Sequence, residues 1–412
     1  MRKSADAAIH MQSSSDYTLL YPRQIDWDVF QQKKPDVPFA ESVVAFLNAL
    51  SSSLLKDAQS RAFPDVITFA FFCRKASLMA MKEQYVKDTA MRLGRGILFH
   101  IAPSNVPINF GYSLVAGLLA GNLNIVRVSS KLFPQVDLIV KHLFKLSEDG
   151  QYEETADRIV LVRYDRTSDA NAFFSSICNV RVIWGGDSTI AEIRKNAIPP
   201  RSFDVCFADR YSIALINPEA VVNASDSEIK KLAVAFYNDT YLFDQNACSA
   251  PHTIFWLQSE HLKEVQDRFW TAVYENVFEK YELQPVMSVD KLTAFYRQAV
   301  CMDVRKKSMP DNLIVRTELR ELPKNIEDYR CSCGYFSEFV IDNLNEIASV
   351  INIKYQSLGY YGFSREELEV FVKRNRFKGL DRIVPIGETT AFGLTWDGYN
   401  LIDMFSRIVS VL

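Results

Sequence analysis

The sequence predicts an α/β protein with two domains, each containing a largely parallel sheet flanked by helices. From residue 94 onward, apolar runs of strand length alternate with segments of helical periodicity. Repeated strand–helix units of this kind place the strands parallel and cover both faces of the sheet with helices. The alternation starts again after residue 210, and 412 residues exceed the usual size of a single hydrophobic core.

A mostly helical segment is predicted ahead of the first sheet. Residues 1–93 contain no glycine, which favours helices over hairpins. The spacing of apolar residues predicts a short helix at 26–30, a helix from about 41 to 55 and an amphipathic helical stretch from about 64 to 86. No internal repeat interrupts this pattern.

The first sheet is predicted from four apolar runs and the helical segments between them. The predicted strands are 96–101, 124–128, 158–164 and 180–184, and the predicted helices are 106–120, 133–146 and 170–178. Pro107 suits the first turn of its helix and Gly121 suits the stop.

A second sheet is predicted after a domain boundary near residue 210. Its predicted strands are 211–216, 252–256, 313–316 and 338–341, and its predicted helices are 227–238, 261–279 and 292–299. We therefore predict a first domain at 1–210 and a second at 211–380. The tail, 381–412, has its own strand pattern at 382–387 and is expected to pack back on the first domain.

The composition excludes several classes of function. Lys and Arg number 47 against 50 Asp and Glu, so no overall basic excess is present to bind nucleic acid or an anionic membrane. Seven cysteines, an odd number, favour free thiols and a cytoplasmic setting. No apolar run is long enough to span a bilayer, and no cluster has metal-ligand spacing, so neither membrane insertion nor a metal is expected.

Two turns are candidate ligand sites because ligands of open parallel sheets bind beyond the carboxyl ends of strands. One turn is 102–107 and the other is 184–188. Each precedes a predicted helix, whose first backbone N–H groups can bind an anion. The same residues also suit a simple tight turn with a Ser188 helix cap, and the residues alone leave both interpretations open.

Cys248 is the candidate nucleophile, since it lies in the small polar segment 244–251 between a helix and a strand. A thiol in such a loop can be exposed and polarised. His252 follows four residues later and raises the alternative of a Cys–His hydrolase. A histidine that enters an apolar strand is more often structural, and the same holds for His100.

Five segments, taken in order, resemble the aldehyde dehydrogenase superfamily and, more closely, the acyl-CoA reductase family that includes the fatty-acid reductase subunit of bacterial bioluminescence. The resemblance runs from about residue 94 to the end, and residues 1–93 contribute little. It implies an aldehyde dehydrogenase-like fold, with a dinucleotide-binding first domain and a catalytic second domain. The segments are HIAPSNVPINF (100–110), AGNLNIVRVSSK (120–131), VIWGGDSTI (182–190), DQNACSAP (244–251) and LDRIVPIGETTAFGLTWDGYNLID (380–403).

The resemblance implies two catalytic residues. Cys248 matches the nucleophile, and Asn105 matches the asparagine of the family's P-x-N-x-P segment, whose side-chain amide donates to the thioester oxygen. Phe207 stands where hydrolysing members carry a general-base glutamate, which implies an enzyme that does not activate water. The alternative is that another acid, such as Asp209, supplies the base.

The resemblance also implies a nicotinamide cofactor, with NADPH favoured. Ser130 stands where NAD-preferring members often carry a glutamate, and Arg127 and Lys131 could pair with a 2′-phosphate. Asp187 replaces a serine near the phosphates, and Glu338 is a weak candidate for the glutamate that holds the nicotinamide ribose. The implied cofactor residues are Ile101, Ala102, Pro103, Ser104, Arg127, Ser129, Ser130, Lys131, Trp184, Gly185, Gly186 and Ile190.

The expected function is reduction of an acyl thioester, as long-chain acyl-CoA or acyl-protein, to the aldehyde through an acyl-cysteine. Enzymes that activate or transfer acyl groups, and further copies of the chain, are the expected partners. The alternatives are an acyl phosphate reductase, a Cys–His thioesterase without a cofactor, and a non-catalytic acyl-binding subunit. The presence of both Asn105 and Cys248 argues against the last.

Overall fold

The computed structural model describes residues 16–85, 90–166 and 168–411. The chain divides into two compact units, with the boundaries at Ala208/Asp209 and at Phe392/Gly393. Within the described residues, no helix is both long enough and apolar enough to cross a membrane. The same residues contain no group of three or more His, Cys, Asp or Glu side chains arranged to hold a metal ion.

The main sheet of the first unit has the strand order β1-β5-β4-β3-β6-β7 within the described residues. β1 pairs antiparallel with β5, and the other neighbours are parallel. The strands up to this point are β1 (Thr18–Tyr21), β2 (Arg92–Gly94), β3 (Ile97–Ile101), β4 (Leu123–Arg127), β5 (Ile159–Arg163), β6 (Val180–Trp184) and β7 (Phe203–Phe207). The four predicted strands are confirmed, while β1, β2 and β7 were not predicted.

Helices and a buried apolar cluster support this sheet. Phe99, Ile125, Val160, Phe174 and Ile183 belong to one hydrophobic cluster, and burial of each such side chain contributes about 1.5–3 kcal/mol. The helices are α1 (Trp27–Gln32), α2 (Glu41–Lys56), α3 (Pro64–Phe72), α4 (Lys75–Tyr85), α5 (Asn109–Leu119), α6 (Pro134–Ser147), α7 (Glu153–Ala156), α8 (Ala170–Ile177) and α9 (Asp187–Ile193).

Two helix predictions in this unit need correction. The stretch 64–86 is two helices, because Asn48 of α2 accepts a hydrogen bond from the Lys75 N–H (2.9 Å) and so caps a new helix there. Residue 86 lies outside the described residues, as do residues 1–15 of the N-terminal segment. α5 begins at Asn109 rather than Val106, so Pro107 lies in the turn before the helix.

The sheet of the second unit has the order β10-β11-β12-β9-β8-β13-β14. β10 pairs antiparallel with β11, and the remaining neighbours are parallel. The strands are β8 (Tyr211–Ile216), β9 (Pro251–Leu257), β10 (Val304–Lys306), β11 (Val315–Leu319), β12 (Tyr335–Ile341), β13 (Tyr355–Tyr361) and β14 (Arg382–Pro385). The helices are α10 (Pro218–Asn223), α11 (Asp226–Thr240), α12 (Leu262–Lys280), α13 (Pro285–Cys301) and α14 (Arg365–Asn375).

The sequence did not predict β10, β13, α10 or α14, and α13 is longer than the predicted helix 292–299. β13 reads YQSLGYY, which is neither an apolar run nor a clean alternation. α13 buries Lys291 and Gln298 while Val289 and Val300 are exposed. The usual amphipathic pattern is therefore inverted in this helix, and the periodicity of apolar residues does not reveal its bounds.

The tail divides between the two units rather than packing wholly on the first. β14 pairs with β13 over the register Ser357–Arg382 to Tyr360–Pro385, so this part of the tail belongs to the second sheet. From Gly393 the chain belongs to the first unit. Its elements there are β15 (Thr395–Trp396), β16 (Tyr399–Asn400), α15 (Leu401–Phe405) and β17 (Ser406–Ile408), and β17 pairs antiparallel with β2.

Candidate active site

Both predicted ligand turns of the first unit lie where the strand order of its sheet changes direction. β4 and β5 extend to one side of β3, whereas β6 and β7 extend to the other. Crevices that hold ligands form at such switch points, beyond the carboxyl ends of the strands. The turn after β3 exposes Ser104 and Asn105, and the turn after β6 exposes Gly186 and Asp187.

Trp184, at the end of β6, is fixed by a chain of buried hydrogen bonds. Its indole N–H donates to Ser113 Oγ (3.0 Å), and Ser113 Oγ lies 2.7 Å from His100 Nδ1. His100 Nε2 lies 3.0 Å from Asn124 Oδ1, whose amide nitrogen donates to the Asn122 carbonyl (2.9 Å). Because Asn124 Oδ1 accepts, the imidazole carries its proton on Nε2. Burial lowers the pKa of His100 to about 4, so His100 is a neutral, structural residue.

Phe207 forms an aromatic wall beside Trp184. The two rings stack with centroids 3.7 Å apart and an interplanar angle of 13°, and Tyr399 meets Phe207 edge-on at 5.9 Å. Phe207 is buried at the end of β7. A hydrocarbon ring therefore occupies this position, and it can neither accept nor deliver a proton.

Cationic side chains gather at the ends of β4 and β5. Arg127 Nη2 donates to the Tyr164 carbonyl (3.3 Å), and Arg163 Nε donates to the Ser129 carbonyl (3.2 Å). Within the described residues, Arg127 Nε and Arg163 Nη2 are buried without a hydrogen-bond partner. Buried donors of this kind normally have an acceptor, so these two fit an anionic ligand. Arg163 was missed in the sequence because it ends a strand outside any motif.

The other predicted cofactor residues differ in accessibility. Ser130 and Lys131 are exposed, while Ser129 is buried and its hydroxyl accepts the Lys131 N–H (3.1 Å). Ile101 and Ile190 lie in the hydrophobic cluster. Ala102 is buried and Pro103 is half-buried.

The two glycines after β6 also differ. A Cβ at Gly185 would meet Thr189 at 3.1 Å, whereas a Cβ at Gly186 would meet none of the described atoms within 4 Å. There is therefore open space beside Gly186, where a ligand could approach the backbone.

In the second unit, the loop that carries Cys248 precedes β9 and is held by a buried amide. Asp244 and Gln245 both have positive φ, 52° and 59°. The Gln245 amide nitrogen donates to the carbonyls of Pro251 (2.9 Å) and Tyr335 (3.1 Å), while its oxygen accepts from the N–H groups of Gly334 (2.9 Å) and Tyr335 (3.2 Å). One side chain thus ties the cysteine loop to β12.

Cys248 is half-buried at the end of this loop. Its carbonyl accepts a hydrogen bond from Ser212 Oγ (2.7 Å), at the start of β8. In contrast, Cys73 and Cys178 are buried, and burial raises the pKa of both thiols. Cys301 is exposed on α13. Accessibility alone therefore does not single out Cys248, but the loop held by Gln245 and Ser212 distinguishes it from Cys301.

His252 does not supply a catalytic base in this arrangement. Its Nδ1 donates to the Cys331 carbonyl (3.2 Å), and its ring stacks on Tyr211 with centroids 5.5 Å apart. Burial, with a contribution from the charge of Arg330, lowers the pKa of His252 to about 3. The structural interpretation of His252 is therefore the one that the geometry favours.

Glu338 is held in a buried ion pair. Its carboxylate accepts from Arg316 (2.6 and 3.2 Å) and from the indole N–H groups of Trp256 (2.9 Å) and Trp270 (3.1 Å). With 2% of its surface exposed, it is unavailable to a ribose, so its proposed cofactor role is not supported.

Asp209, the alternative base, is also engaged. Arg330 Nη2 donates to both of its carboxylate oxygens, at 2.7 and 2.6 Å. Both of its carboxylate oxygens are therefore engaged by one guanidinium, which makes Asp209 the anchor of Arg330.

The fold is that of the aldehyde dehydrogenases. Aldehyde dehydrogenase 21 from Physcomitrella patens superposes with a TM-score of 0.65 at 11% identity, covering 93% of this chain and 87% of that one. An NAD-dependent benzaldehyde dehydrogenase from Corynebacterium glutamicum gives 0.59 at 12% identity, covering 92% and 86%. Identities this low show the likeness of fold alone.

Comparisons of sequence identify the family of the chain within this fold. The model of the acyl-CoA reductase (LuxC) family matches residues 44–305. The long-chain acyl-protein thioester reductase 2 of Photobacterium leiognathi is 26% identical over 179 residues, which are 42% of this chain and 34% of that protein. The match thus spans about a third of that relative's length. This chain belongs to the acyl-CoA reductase (LuxC) family.

Proposed function

We propose that this enzyme reduces an acyl thioester to the aldehyde with NADPH, through an acyl group held on Cys248. The observation that carries the proposal is the conformation of the Cys248 loop. Asp244 and Gln245 adopt positive φ there, and the buried Gln245 amide ties the loop to the neighbouring strands. Membership of the acyl-CoA reductase (LuxC) family supports the reaction class. The name of the Photobacterium relative supports a long-chain acyl-protein thioester as the substrate, and the family's name supports acyl-CoA. Enzymes that supply the acyl group are the proposed partners.

In the proposed reaction, the Cys248 thiolate attacks the thioester carbonyl carbon. The Asn105 amide and the Cys248 backbone N–H donate to the resulting oxyanion, and one such donor is worth roughly 10²–10³ in rate. The carrier thiolate leaves and takes up a proton, and the acyl group remains on Cys248. When bound, NADPH supplies the hydride to the acyl carbon. The Cys248 thiolate is then expelled and the aldehyde departs.

The cationic group of the first unit fits the phosphates of the cofactor. Arg127 and Arg163 present buried nitrogens without partners in the described structure, and Lys131 is exposed nearby in sequence. Ser130 contributes no negative charge where a carboxylate would repel a 2′-phosphate. We therefore propose NADPH rather than NADH as the cofactor.

Water is not expected to compete for the acyl-cysteine. Phe207 offers no base, and Asp209 is bound to Arg330. A positioned general base contributes about 10²–10⁴-fold to such an attack. The reverse reaction should therefore need a thiol acceptor. Mixing aldehyde with NADP⁺, with and without coenzyme A, tests this, and rapid formation of free acid without coenzyme A would contradict it.

The proposed function is tested by following absorbance at 340 nm with NADPH and a series of acyl-CoA thioesters. Parallel assays with acyl phosphates distinguish the second candidate, a reductase that uses the same thiol on a different leaving group. Mass spectrometry after acyl-CoA treatment without NADPH should find one acyl group on Cys248. If neither substrate class gives turnover or an acyl adduct, the proposed reaction is contradicted and the hypothesis of a non-catalytic acyl-binding subunit is favoured.

A further inference from the structure

Arg330 is anchored by hydrogen bonds near the amino end of β8 in the second unit. Its Nη2 donates to both carboxylate oxygens of Asp209, and its Nη1 donates to the Arg210 carbonyl (2.8 Å). It directly precedes Cys331, whose carbonyl accepts from His252. The guanidinium therefore has a defined position, unlike a freely rotating surface arginine.

The segment that follows Arg330 is bound to the cysteine loop. Ser332 Oγ donates to Asn246 Oδ1 (2.8 Å), and the Cys333 N–H donates to the Asp244 carbonyl (3.0 Å). At the other end of the loop, Ser212 holds the Cys248 carbonyl (2.7 Å). Arg330 and Cys248 are thus attached to the same short stretch, 209–212, that enters β8.

Charged groups around Arg330 shift the pKa values of the neighbouring side chains and of Arg330 itself. Burial alone would lower the pKa of Arg330. The hydrogen bonds and charge of Asp209 outweigh burial, and smaller contributions from Cys248 and Tyr211 act in the same direction, so the pKa of Arg330 lies above its ordinary value. His252, which is neutral, has its pKa depressed in part by the same guanidinium. A cavity of about 290 Å³ adjoins this site, and its further charged lining residues are Arg210, Glu327, Asp328 and Lys354.

We propose that Arg330 is a positioning residue that stabilises the thiolate form of Cys248, with Asp209 holding the guanidinium in place. The inference rests on the proposed function, in which Cys248 is the nucleophile. In the step concerned, the Cys248 S–H bond breaks heterolytically, the proton passes to water, and both electrons stay on sulfur. A cation beside a thiol raises its thiolate fraction at neutral pH, and His252 is not such a cation because burial keeps its imidazole neutral.

The test is the pH dependence of alkylation of Cys248 by iodoacetamide in the full chain, followed by mass spectrometry of the Cys248 peptide between pH 6 and 10. In Arg330→Gln the rate at pH 7 should fall roughly tenfold, with little change at pH 10 where the thiol ionises unaided. Arg330→Lys should restore most of the rate. Arg365→Gln, which breaks an exposed ion pair with Glu369 in the same unit, should leave the profile unchanged.

Superposable profiles for the wild type and Arg330→Gln would overturn the inference. If Arg330→Gln does not fold, as judged by circular dichroism, Arg330→Lys decides, since loss of rate at both pH 7 and pH 10 would indicate a merely structural role. The alkylation requires neither acyl substrate nor NADPH. Undiminished reductase turnover in Cys248→Ala would therefore refute the proposed function itself. An unchanged alkylation profile in Arg330→Gln, together with an inactive Cys248→Ala, would refute only the role of Arg330.

Discussion

The two largely parallel sheets of this protein place their candidate functional residues at opposite ends of their strands. In the first unit, Asn105, Ser130 and Gly186 follow β3, β4 and β6, at the carboxyl ends. In the second unit, Cys248 precedes β9 and Arg330 precedes β12, at the amino ends. The two sheets are built from similar strand–helix units, yet the rule that ligands bind at carboxyl ends describes the first unit alone.

The difference lies in how the backbone is held. In the first unit, the strand order reverses beside β3, and open sheets form ligand crevices at such reversals. In the second unit, side chains hold the loop, chiefly Gln245 and Ser212. A crevice of the first kind follows from topology, whereas a loop of the second kind depends on particular buried hydrogen bonds. Substitutions in each unit separate these two contributions.

The largest effect is expected from Cys248→Ala in the second unit. Acyl-adduct formation and NADPH oxidation should both fall to background, because Cys248 is the proposed site of the acyl group. Cys301→Ala, which removes the exposed thiol of α13, is the matched control and should retain turnover. Mass spectrometry and the 340 nm assay measure the two effects, and an acyl adduct on another cysteine would refute the assignment.

The next effect concerns Asn105 in the first unit. Asn105→Asp keeps the shape of the side chain but replaces the donating amide with a carboxylate, so kcat should fall about 10²–10³-fold. NADPH affinity should stay nearly unchanged, as measured by fluorescence titration. A loss of affinity with unchanged kcat would show that Asn105 binds the cofactor rather than the reacting oxygen.

Acid should destabilise both units, because each contains a buried neutral histidine. The folded-state pKa is about 4 for His100 and about 3 for His252, below the ordinary value near 6.5. The unfolded chain therefore binds more protons below pH 6.5, and stability falls as pH decreases. Between pH 7 and pH 5 each histidine should cost about 2 kcal/mol.

Asp239 should oppose this trend in the second unit. Burial raises its pKa to about 6, so its contribution to stability is present at low pH and is lost as pH rises towards 6. Urea unfolding at pH 5 and pH 7 should therefore show a smaller acid effect for the second unit than for the first. Equal sensitivity of the wild type and of His100→Gln and His252→Gln variants to acid would contradict this account.

The smallest effect is expected at the cationic group of the first unit. Arg163→Gln should weaken NADPH binding about tenfold, since a hydrogen bond to a charged group contributes about 1.5–3 kcal/mol. NADH binding should change less. Isothermal titration measures both, with Lys145→Gln on the exposed side of α6 as the control. Equal losses for the two cofactors would place Arg163 away from the 2′-phosphate.

Much of this protein is determined by its sequence alone. Strand and helix periodicities are properties of neighbouring residues, so β3 to β6, β8 and β9 were predicted within a residue or two. The motifs around Asn105 and Cys248 identified the family and the aldehyde dehydrogenase fold, both of which the comparisons confirm.

Only the tertiary structure decided which distant groups meet. Asp209 and Arg330 are 121 residues apart in the chain, and Glu338 is sequestered by Arg316 and two tryptophans. Sheet order, rather than local pattern, brings such groups together, and it also assigned β14 to the second unit. Local periodicity depends on side chains a few residues apart, whereas pairing across a sheet depends on which strands become neighbours, and that choice is made by the packing of the whole unit.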